Sequence, residues 1–324
     1  MIRQINKLAE NHVPFLLIVD FEMKKPLLFP LEELPEEVRF SAPGYSSPGT
    51  SVDQPGATAD FSGQIEFHSE PIPFDRYLSA FNLVRENALL GNTYLTNLTF
   101  PSKIETNLSL NDIFNLSNAR YKLLYRNQFV VFSPEIFVQI RNGQIRSFPM
   151  KGTIDADIPG AKELLLNDAK EMAEHVTIVD LIRNDLSINA KRVEVEKYRY
   201  VDTLMTSNKR LLQVSSEITG KLPTDYLSRL GEIIFSMLPA GSISGAPKPE
   251  TIRIIRDAED SDRGYYTGIM GYFDGEDFDS AVLIRYIENR DGQFYYRSGG
   301  GITFMSDPEK EYQELIDKVY LPLN

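Results

Sequence analysis

The sequence has 324 residues, no cysteine and a formal net charge of −12. This acidic balance is opposite to that of proteins that bind a phosphate backbone, so we expect no nucleic-acid partner. No apolar run approaches the ~20 residues of a membrane span and no signal peptide is recognisable, so we expect no membrane partner and a cytoplasmic location. The lack of cysteine excludes disulfides, thiolate metal sites and a cysteine nucleophile.

Two segments stand out in the amino-terminal part of the chain. Residues 14–21 are almost entirely apolar, which predicts a buried strand. Residues 41–60 hold three prolines and three glycines and predict a mobile surface loop. An irregular insertion is favoured there over a lid. We expect residues 1–70 to be a short amino-terminal segment that forms one domain with a catalytic region at 71–324.

Strand pairs dominate the middle of the chain and recur near its end. The turn dipeptides Asn142-Gly143 and Asp291-Gly292 each predict a tight hairpin. The predicted pairs are 121–125 with 129–132, 136–140 with 144–148, and 281–287 with 294–297. Because hairpins outnumber strand–helix–strand units, the sequence predicts an α+β fold with mainly antiparallel sheets.

Two predicted helices each carry a pair of glutamates. In the first, Glu171 and Glu174 share one face, and the helix itself is predicted from an apolar stripe of Met172, Val176, Val179, Ile182 and Leu186. In the second, Asp307 can cap the helix and Pro308 suits its first turn. That second helix has an apolar stripe on one face and, on another, the charged residues Glu311, Glu314 and Lys318.

The glutamate pairs allow two interpretations. Two solvated acidic faces are the simpler one, because like charges three residues apart repel only modestly on an exposed helix. In the other, the two pairs face each other around Mg²⁺, which prefers oxygen ligands and keeps several of its waters. Spacing alone favours the first interpretation.

Three small-residue segments are candidate parts of a binding site. The glycine run at 299–301 allows close backbone approach and positive φ, so that its N–H groups can receive a carboxylate, although a turn or bulge explains it equally well. The segment 239–248 precedes a predicted helix, but it lacks the ending of a phosphate loop. At 149–153, Lys151 stands beside a glycine. A lysine in a cleft can be a nucleophile, but an exposed lysine is the simpler interpretation.

Taken in order, these segments resemble the chorismate-utilising enzymes, which include anthranilate synthase component I, aminodeoxychorismate synthase component I, and isochorismate and salicylate synthases. The resemblance spans roughly residues 70–324 and rests on segments 132–135, 149–153, 174–186, 239–248, 263–268, 279–285 with the glycine run, and 307–318. It implies two large, mainly antiparallel β-sheets packed together with helices outside.

The resemblance also implies roles for individual residues. The family holds the ring carboxylate of chorismate through Mg²⁺, with Glu174 and Glu314 matching direct ligands and Glu171 and Glu311 acting through water. Glu135 matches the general acid that protonates the departing 4-hydroxyl. Substrate-binding positions are matched by Tyr266, Arg285, Gly299, Gly300, Gly301, Lys318 and Ser244.

Position 151 separates the branches of the family. Anthranilate synthases read Pro-Ile-Ala-Gly-Thr there, whereas this chain reads Pro-Met-Lys-Gly-Thr. Lysine at the alanine position resembles aminodeoxychorismate synthase component I, in which Lys151 would add to the ring before ammonia enters at C4. The product, 4-amino-4-deoxychorismate, is a precursor of para-aminobenzoate and folate. With no cysteine for glutamine hydrolysis, the chain would use free ammonia or a separate glutamine amidotransferase subunit.

The chain departs from the family pattern at several places, and three rivals remain. Leu95 replaces the family's glutamine, Gln213 stands where a histidine is usual, and Ile154-Asp155 replaces a Thr-Arg-Pro run. The amino-terminal region is also short, which puts tryptophan binding in doubt. The rivals are an anthranilate synthase component I, an isochorismate or salicylate synthase, and a non-catalytic metal- or partner-binding protein with the same fold. Leu95 argues against the second, because leucine cannot act as the base that activates water.

Overall fold

The computed structural model describes residues 1–48, 50, 63–205 and 210–323. Its helices are α1 Ile2–Glu10, α2 Phe74–Leu89, α3 Leu110–Leu116, α4 Ala161–Asn167, α5 Ala169–Ser187, α6 Leu230–Ser236, α7 Gly241–Ser244, α8 Lys248–Glu259 and α9 Pro308–Asp317. Its strands are β1 Phe15–Val19, β2 Leu27–Pro30, β3 Val38–Ala42, β4 Tyr45–Ser46, β5 Phe67–Glu70, β6 Leu95–Thr106, β7 Tyr121–Tyr125, β8 Phe129–Ser133, β9 Ile136–Arg141, β10 Gln144–Ser147, β11 Met150–Asp155, β12 Lys191–Met205, β13 Arg210–Lys221, β14 Gly245–Ala246, β15 Ile269–Phe273, β16 Phe278–Val282, β17 Tyr286–Arg290 and β18 Gln293–Ile302.

Within the described residues the strands form two nine-stranded sheets, and every pairing is antiparallel. The first sheet has the order β11-β13-β10-β9-β16-β15-β1-β2, with β12 also paired to β13. The second has the order β14-β6-β18-β17-β8-β7-β3-β4, with β5 also paired to β6. The predicted α+β class with two large antiparallel sheets is therefore confirmed.

The two sheets pack face to face, and helices cover their outer faces. The core between the sheets joins Leu16 and Met270 of the first sheet to Phe40, Leu123 and Val131 of the second. A second cluster lies between the first sheet and α1, α5 and α6. Two further clusters pack α2, α8 and α9, and separately α3, on the second sheet. No helix among the described residues is both long and apolar enough to cross a membrane.

The amino-terminal residues contribute strands to both sheets. β1 confirms the predicted buried strand and pairs with β15, while β3 pairs with β7. The prediction of a loop over 41–60 is wrong at its start, because Ser41 and Ala42 end β3 and Tyr45–Ser46 is β4, paired back on β3. Residues 49 and 51–62 of that predicted loop lie outside the described residues.

The hairpin at 142–143 is confirmed, and the one at 291–292 is confirmed at its turn but not in its first strand. Asn142 and Asp291 both have positive φ, as a tight hairpin requires. The prediction of one strand over 281–287 is wrong, because the chain leaves the first sheet at Val282 and joins the second at Tyr286. Leu283 still bonds to Thr267 and Gly268, whereas the carbonyl of Arg285 already accepts from Phe132. Residues 281–284 are all apolar, and Arg285 is the one charged residue of 281–287. A single charged residue does not by itself show that the chain changes sheets there.

The two predicted helices are present as α5 and α9. On α5 the predicted apolar stripe is only half buried: Val179, Ile182 and Leu186 lie in the core, but Met172 and Val176 are exposed. On α9, Asp307 caps the helix by accepting from the Lys310 amide, as predicted. The first turns of α5 do not pack on the core because they carry glutamates toward a cavity.

Candidate active site

A cavity of about 490 Å³ opens between elements of both sheets and the helices α5 and α9. Every residue for which a site role was predicted lines it, apart from Ser244. They are Glu135, Lys151, Glu171, Glu174, Tyr266, Arg285, Gly299, Gly300, Gly301, Glu311, Glu314 and Lys318. These residues come from segments more than 180 positions apart in the sequence, so the fold alone brings them together. We call this space the substrate cavity.

Glu135 and Arg285 enter the substrate cavity from two neighbouring crossings between the sheets. Glu135 lies where the chain passes from β8 to β9, and Arg285 where it passes from β16 to β17. The two crossings are joined, since the amide of Val282 donates to the carbonyl of Glu135. Arg285 has a φ of +55° and lies 5.1 Å from the centre of the Tyr320 ring. At these crossings the chain belongs to neither sheet, so the side chains of Glu135 and Arg285 are not part of a hydrophobic core and can face the cavity.

The carboxyl group of Glu135 is suited to carry a proton. Its Oε1 accepts from the hydroxyl of Ser242 at 2.5 Å. Burial raises the pKa of this carboxyl, and the opposing effects are the Ser242 bond and the charges of Lys151, Lys318 and Arg285. A carboxyl with a raised pKa that faces a cavity can act as a general acid.

A bulge in β11 turns Lys151 into the substrate cavity. The register of β11 on β13 shifts between Lys151 and Thr153, and Gly152 takes a φ of +78°. The ammonium of Lys151 lies 3.4 Å from Oε2 of Glu174, and about a fifth of the lysine side chain is exposed. Lys151 therefore lies at the second residue of a strand, at the cavity wall, rather than on an open surface.

The glycine run lies inside β18 and is neither a turn nor a bulge. None of the three glycines has a positive φ; what they allow is close approach. The ammonium of Lys318 donates to the carbonyl of Gly299 at 2.9 Å and to Glu314 at 2.5 Å. Since N–H and C=O of one residue in an antiparallel strand point to the same side, the amides of Gly299 and Gly301 also point toward Lys318. This leaves two donors for an anion.

Three of the four carboxylates of α5 and α9 lie beside the glycine run, and the fourth lies beside Gly152. A Cβ atom built on Gly300 would lie 3.2 Å from Oε1 of Glu314 and 3.4 Å from Oε2 of Glu311. One built on Gly301 would lie 3.5 Å from Oε2 of Glu174. Glu171 reaches the cavity wall at Gly152, where its Oε2 would lie 3.3 Å from such an atom. The interpretation of two exposed acidic helix faces is therefore wrong.

The donor set suits a hard divalent cation such as Mg²⁺. It consists of carboxylate oxygens, and the glycines between them leave room that any side chain would fill. Across the parts of the chain that are described, no three His, Asp or Glu side chains are close enough to hold a metal ion together. Mg²⁺ needs only one or two direct carboxylates, however, and completes its shell with water and substrate.

Tyr266 and a buried ion cluster form the floor of the cavity. Burial raises the pKa of Tyr266 to about 12, so that its hydroxyl stays protonated and can donate. The guanidinium of Arg297 lies 5.7 Å from the Tyr266 ring centre. Glu259 holds that guanidinium at 2.7 Å and also binds Arg263 at 2.5 Å. This fully buried triad fixes the position of the floor.

Ser244 is the predicted site residue that the structure places elsewhere. It is buried in α7 and donates to the carbonyl of Ala240 rather than facing the substrate cavity. Ser242, two residues earlier, is the hydroxyl that reaches the cavity. The predictions also missed Asn97 and Arg297, both of which line it. The only sequence signal for Ser242 was the small-residue segment 239–248, and that signal does not show which of its serines faces the cavity.

Two departures from the family pattern lie at the cavity or beside it. Gln213 lines it and donates to Thr153 at 3.4 Å, so an amide stands where a histidine was expected. Leu95 is buried, and its Cδ1 would lie 3.0 Å from a Cβ built on Gly301. It forms an apolar wall behind the glycine run.

Comparisons with known proteins identify the family to which the chain is similar. A family model described as chorismate binding enzyme matches residues 33–324. An uncharacterised protein of Pasteurella multocida (strain Pm70), described as PabA-like, is 47% identical over 99% of this chain and 98% of its own length. Anthranilate synthase component 1 of Arthrobacter globiformis is 32% identical over 84% of this chain, but that match spans only 53% of its length.

A solved structure shares the fold over most of the chain. The crystal structure of anthranilate synthase component I from Streptococcus pneumoniae TIGR4 aligns with a TM-score of 0.65 and 28% identity. The alignment covers 79% of this chain and 59% of that one. On the matched family model, the near full-length relative and the shared fold, this chain belongs to the chorismate-binding enzymes.

Proposed function

We propose that the protein is an aminodeoxychorismate synthase component I, which replaces the 4-hydroxyl of chorismate by an amino group. The observation that carries this proposal is the position of Lys151. Its amine faces the same cavity as the acid Glu135 and lies 3.4 Å from Glu174. An amine there can form a covalent bond to a ring that the cavity holds.

The proposed reaction divides one displacement into two additions. Lys151 first gives its extra proton to solvent, and its free amine then adds to C2 of the ring while Glu135 gives a proton to the 4-hydroxyl, which leaves as water. Ammonia then adds at C4 and the bond to Lys151 breaks. The enolpyruvyl group stays on the ring, so the product is 4-amino-4-deoxychorismate.

The remaining cavity residues would bind and orient the substrate. Lys318, Arg285 and the Gly299 and Gly301 amides would hold the enolpyruvyl carboxylate, with the Tyr266 hydroxyl as a further donor. Glu174 and Glu314 would hold Mg²⁺ directly, and Glu171 and Glu311 would act through its waters. When bound, Mg²⁺ would hold the ring carboxylate and offset the negative charge of the glutamates.

Ammonia must come from outside this chain. Glutaminases of the usual partner type need a cysteine nucleophile, and the sequence has none. We propose that a separate glutaminase subunit supplies it. Adding such a subunit should make turnover dependent on glutamine. Turnover with ammonium salts alone, whichever glutaminase is added, would contradict this part of the proposal.

A product assay tests the function. The protein is incubated with chorismate, Mg²⁺ and ammonium, and the products are followed by mass spectrometry. A product that gains nitrogen and keeps its enolpyruvyl group supports the proposal. Anthranilate with pyruvate would instead assign an anthranilate synthase, isochorismate or salicylate would assign that rival, and no turnover would favour a non-catalytic role.

Lys151→Ala tests the covalent step. It should abolish most amination, because the alanine has no amine to add to C2, while chorismate still binds. Lys162→Ala is the matched control: it removes the same charge from an exposed position of α4, outside the cavity. An amination rate that stays the same in Lys151→Ala would remove its proposed role.

An anthranilate synthase is the second candidate, because relatives at 32–37% identity carry that description. Position 151 is the feature that argues against it, since the alanine of that branch could form no bond to the ring. An isochorismate synthase is less well supported, because that branch places a base lysine near this position, and the buried Leu95 cannot activate water.

A further inference from the structure

Glu135 and Ser242 line two spaces, the substrate cavity and a much smaller one. The smaller space, here called the rear cavity, has a volume of about 20 Å³. That is enough for one water molecule. Apart from Glu135, one other carboxyl lines it, that of Asp185 on α5, and its remaining wall is largely apolar, with Ile182 and Val138 among its residues.

Asp185 connects the rear cavity to the outside. It also lines an open groove of about 1060 Å³ that runs along α5. The ammonium of Lys248 donates to both oxygens of Asp185, at 2.7 and 2.8 Å, and lies in the same groove. About an eighth of the Asp185 side chain is exposed. Asp185 therefore lies between the groove and the rear cavity, and Glu135 lies between the rear cavity and the substrate cavity.

Both carboxyl groups are surrounded in a way that lets them hold a proton. Burial raises the pKa of Asp185, while the charge and hydrogen bond of Lys248 and the Gly241 amide oppose this. Burial also raises the pKa of Glu135, as described above. Two carboxyls with raised pKa values on one water-sized space can exchange a proton through a single water.

We propose that Asp185 returns a proton to Glu135 through one water in the rear cavity after each turnover. This rests on the proposed role of Glu135 as the general acid. The O–H bond of the Asp185 carboxyl breaks, the water passes a proton on, and an O–H bond forms on Glu135. Solvent in the groove then protonates Asp185 again, and the newly formed amine releases one proton to solvent, so the cycle balances.

The geometry of the substrate cavity favours a rear route for the proton. Once chorismate occupies it, the ring separates Glu135 from solvent on that side. The charges that face Glu135 there, those of Lys151, Lys318 and Arg285, favour its ionised form. While the ring is bound, Glu135 can regain a proton from the amine that has entered at C4 or through the rear cavity, and the relay uses the rear cavity. Asp185 is the second carboxyl on that side.

Asp185→Asn tests the relay. Asparagine keeps the size of the side chain and an oxygen for Lys248, but it carries no exchangeable acid proton. We expect kcat to fall at least tenfold, KM for chorismate to stay within twofold, and the solvent deuterium isotope effect on kcat to rise, because proton return becomes limiting. Asp180→Asn is the control: Asp180 lies on the same helix and lines the same groove, but it is four-fifths exposed and absent from the rear cavity.

The ion pair between Asp185 and Lys248 also connects α5 to α8, so the test must distinguish loss of the relay from a purely structural effect. A structural loss would lower thermal stability and change KM without changing the isotope effect, and that outcome would overturn the relay. A second variant, Val138→Ile, fills the rear cavity and leaves both carboxyls in place. It should lower kcat in the same way, and combining it with Asp185→Asn should cost no more than the single change, since both break one route.

These outcomes separate the relay from the proposed function. If the wild-type protein forms no aminated product, the proposed function fails. If it does form that product and Asp185→Asn and Val138→Ile both keep kcat within twofold, the relay alone fails.

Discussion

Three adjacent glycines should respond differently to the same small substitution, and the differences follow from what each would touch. Replacing Gly299 by alanine places a Cβ atom 2.0 Å from the backbone carbonyl oxygen of Leu98. Backbone cannot move aside as a side chain can. We therefore expect Gly299→Ala to lower the free energy of unfolding by about 3 kcal/mol, which for a chain of this length corresponds to a fall in Tm of roughly 4 °C.

Replacing Gly300 by alanine should leave stability almost unchanged and damage binding. Its φ is one that alanine can adopt, and the nearest atoms are side-chain oxygens of Glu314 and Glu311 at 3.2 and 3.4 Å. We expect the free energy of unfolding to change by no more than about 1 kcal/mol. The new methyl group, however, occupies the space between the carboxylates where a cation or its water would lie.

The loss in binding can be bounded. Removing one hydrogen bond to a charged group costs about 1.5–3 kcal/mol, which corresponds to a loss of roughly 10- to 100-fold in affinity. Gly300→Ala should show this loss for chorismate measured in the presence of Mg²⁺, by calorimetry or by KM. Gly301→Ala, whose Cβ would lie 3.6 Å from the Lys151 amine, should lower kcat as well.

Thermal denaturation and titration of the three variants side by side provide the test. If Gly300→Ala binds chorismate as tightly as the wild-type protein does, the placement of the ligand over the glycine run is refuted. Gly299→Ala with an unchanged Tm would refute the packing of β18 against β6. Because both variants add one methyl group to neighbouring residues, each is the control for the other.

Three further substitutions probe the acid, the core and the contact between the sheets. Glu135→Gln should lower kcat by about 10²- to 10⁴-fold with chorismate binding retained, measured by steady-state kinetics, and an unchanged kcat would contradict its acid role. Burial lowers the pKa of His175 to about 4, so as pH falls below 6.5 the unfolded chain binds a proton that the folded chain does not, and stability is lost. Urea unfolding in the presence of a metal chelator should show a loss of about 2 kcal/mol in the free energy of unfolding between pH 7 and 5 from this group. The variant His175→Gln should not show this loss. Tyr121→Phe removes the 2.6 Å bond from the second sheet to Asp279 of the first, which should cost about 1–3 kcal/mol in urea unfolding; no loss would mean that the remaining bond from Gln139 satisfies Asp279.

Much of the fold was predictable because its signals are local. Asn142-Gly143 determines a tight turn from two residues, and Asp307 with Pro308 determines a helix start from two more. The cavity residues were predictable only through the resemblance, since spacing alone favoured exposed glutamates on α5 and an exposed Lys151. Hydrophobic periodicity predicts which face of a helix is apolar, but it does not predict whether the polar face contacts solvent or a cavity.

The features that escaped prediction depend on contacts between distant segments. The chain leaves the first sheet after Val282, where the pairing with β15 ends. Arg285 is the one charged residue in 281–287, and it does not by itself predict that the segment divides between two sheets. Ser242 and Ser244 stand in the same turn, and only the packing of α7 decides which hydroxyl reaches Glu135. The exposure of Met172 likewise follows from where α5 leaves the core, which its own sequence does not encode.

The ion pairs in the substrate cavity suggest how cation and substrate binding are coupled in the proposed reaction. The two glutamates proposed as direct ligands each already contact an ammonium group: Glu174 contacts Lys151, and Glu314 contacts Lys318. In the proposed reaction, a cation that binds these carboxylates would compete with the lysines for their oxygens and loosen both contacts. The released amines are the two that the reaction needs, one to bond to the ring and one to hold the carboxylate. The lysines thus partly neutralise the glutamates, and we expect a cation bound to those carboxylates to weaken both ion pairs and make the two lysines more available to chorismate.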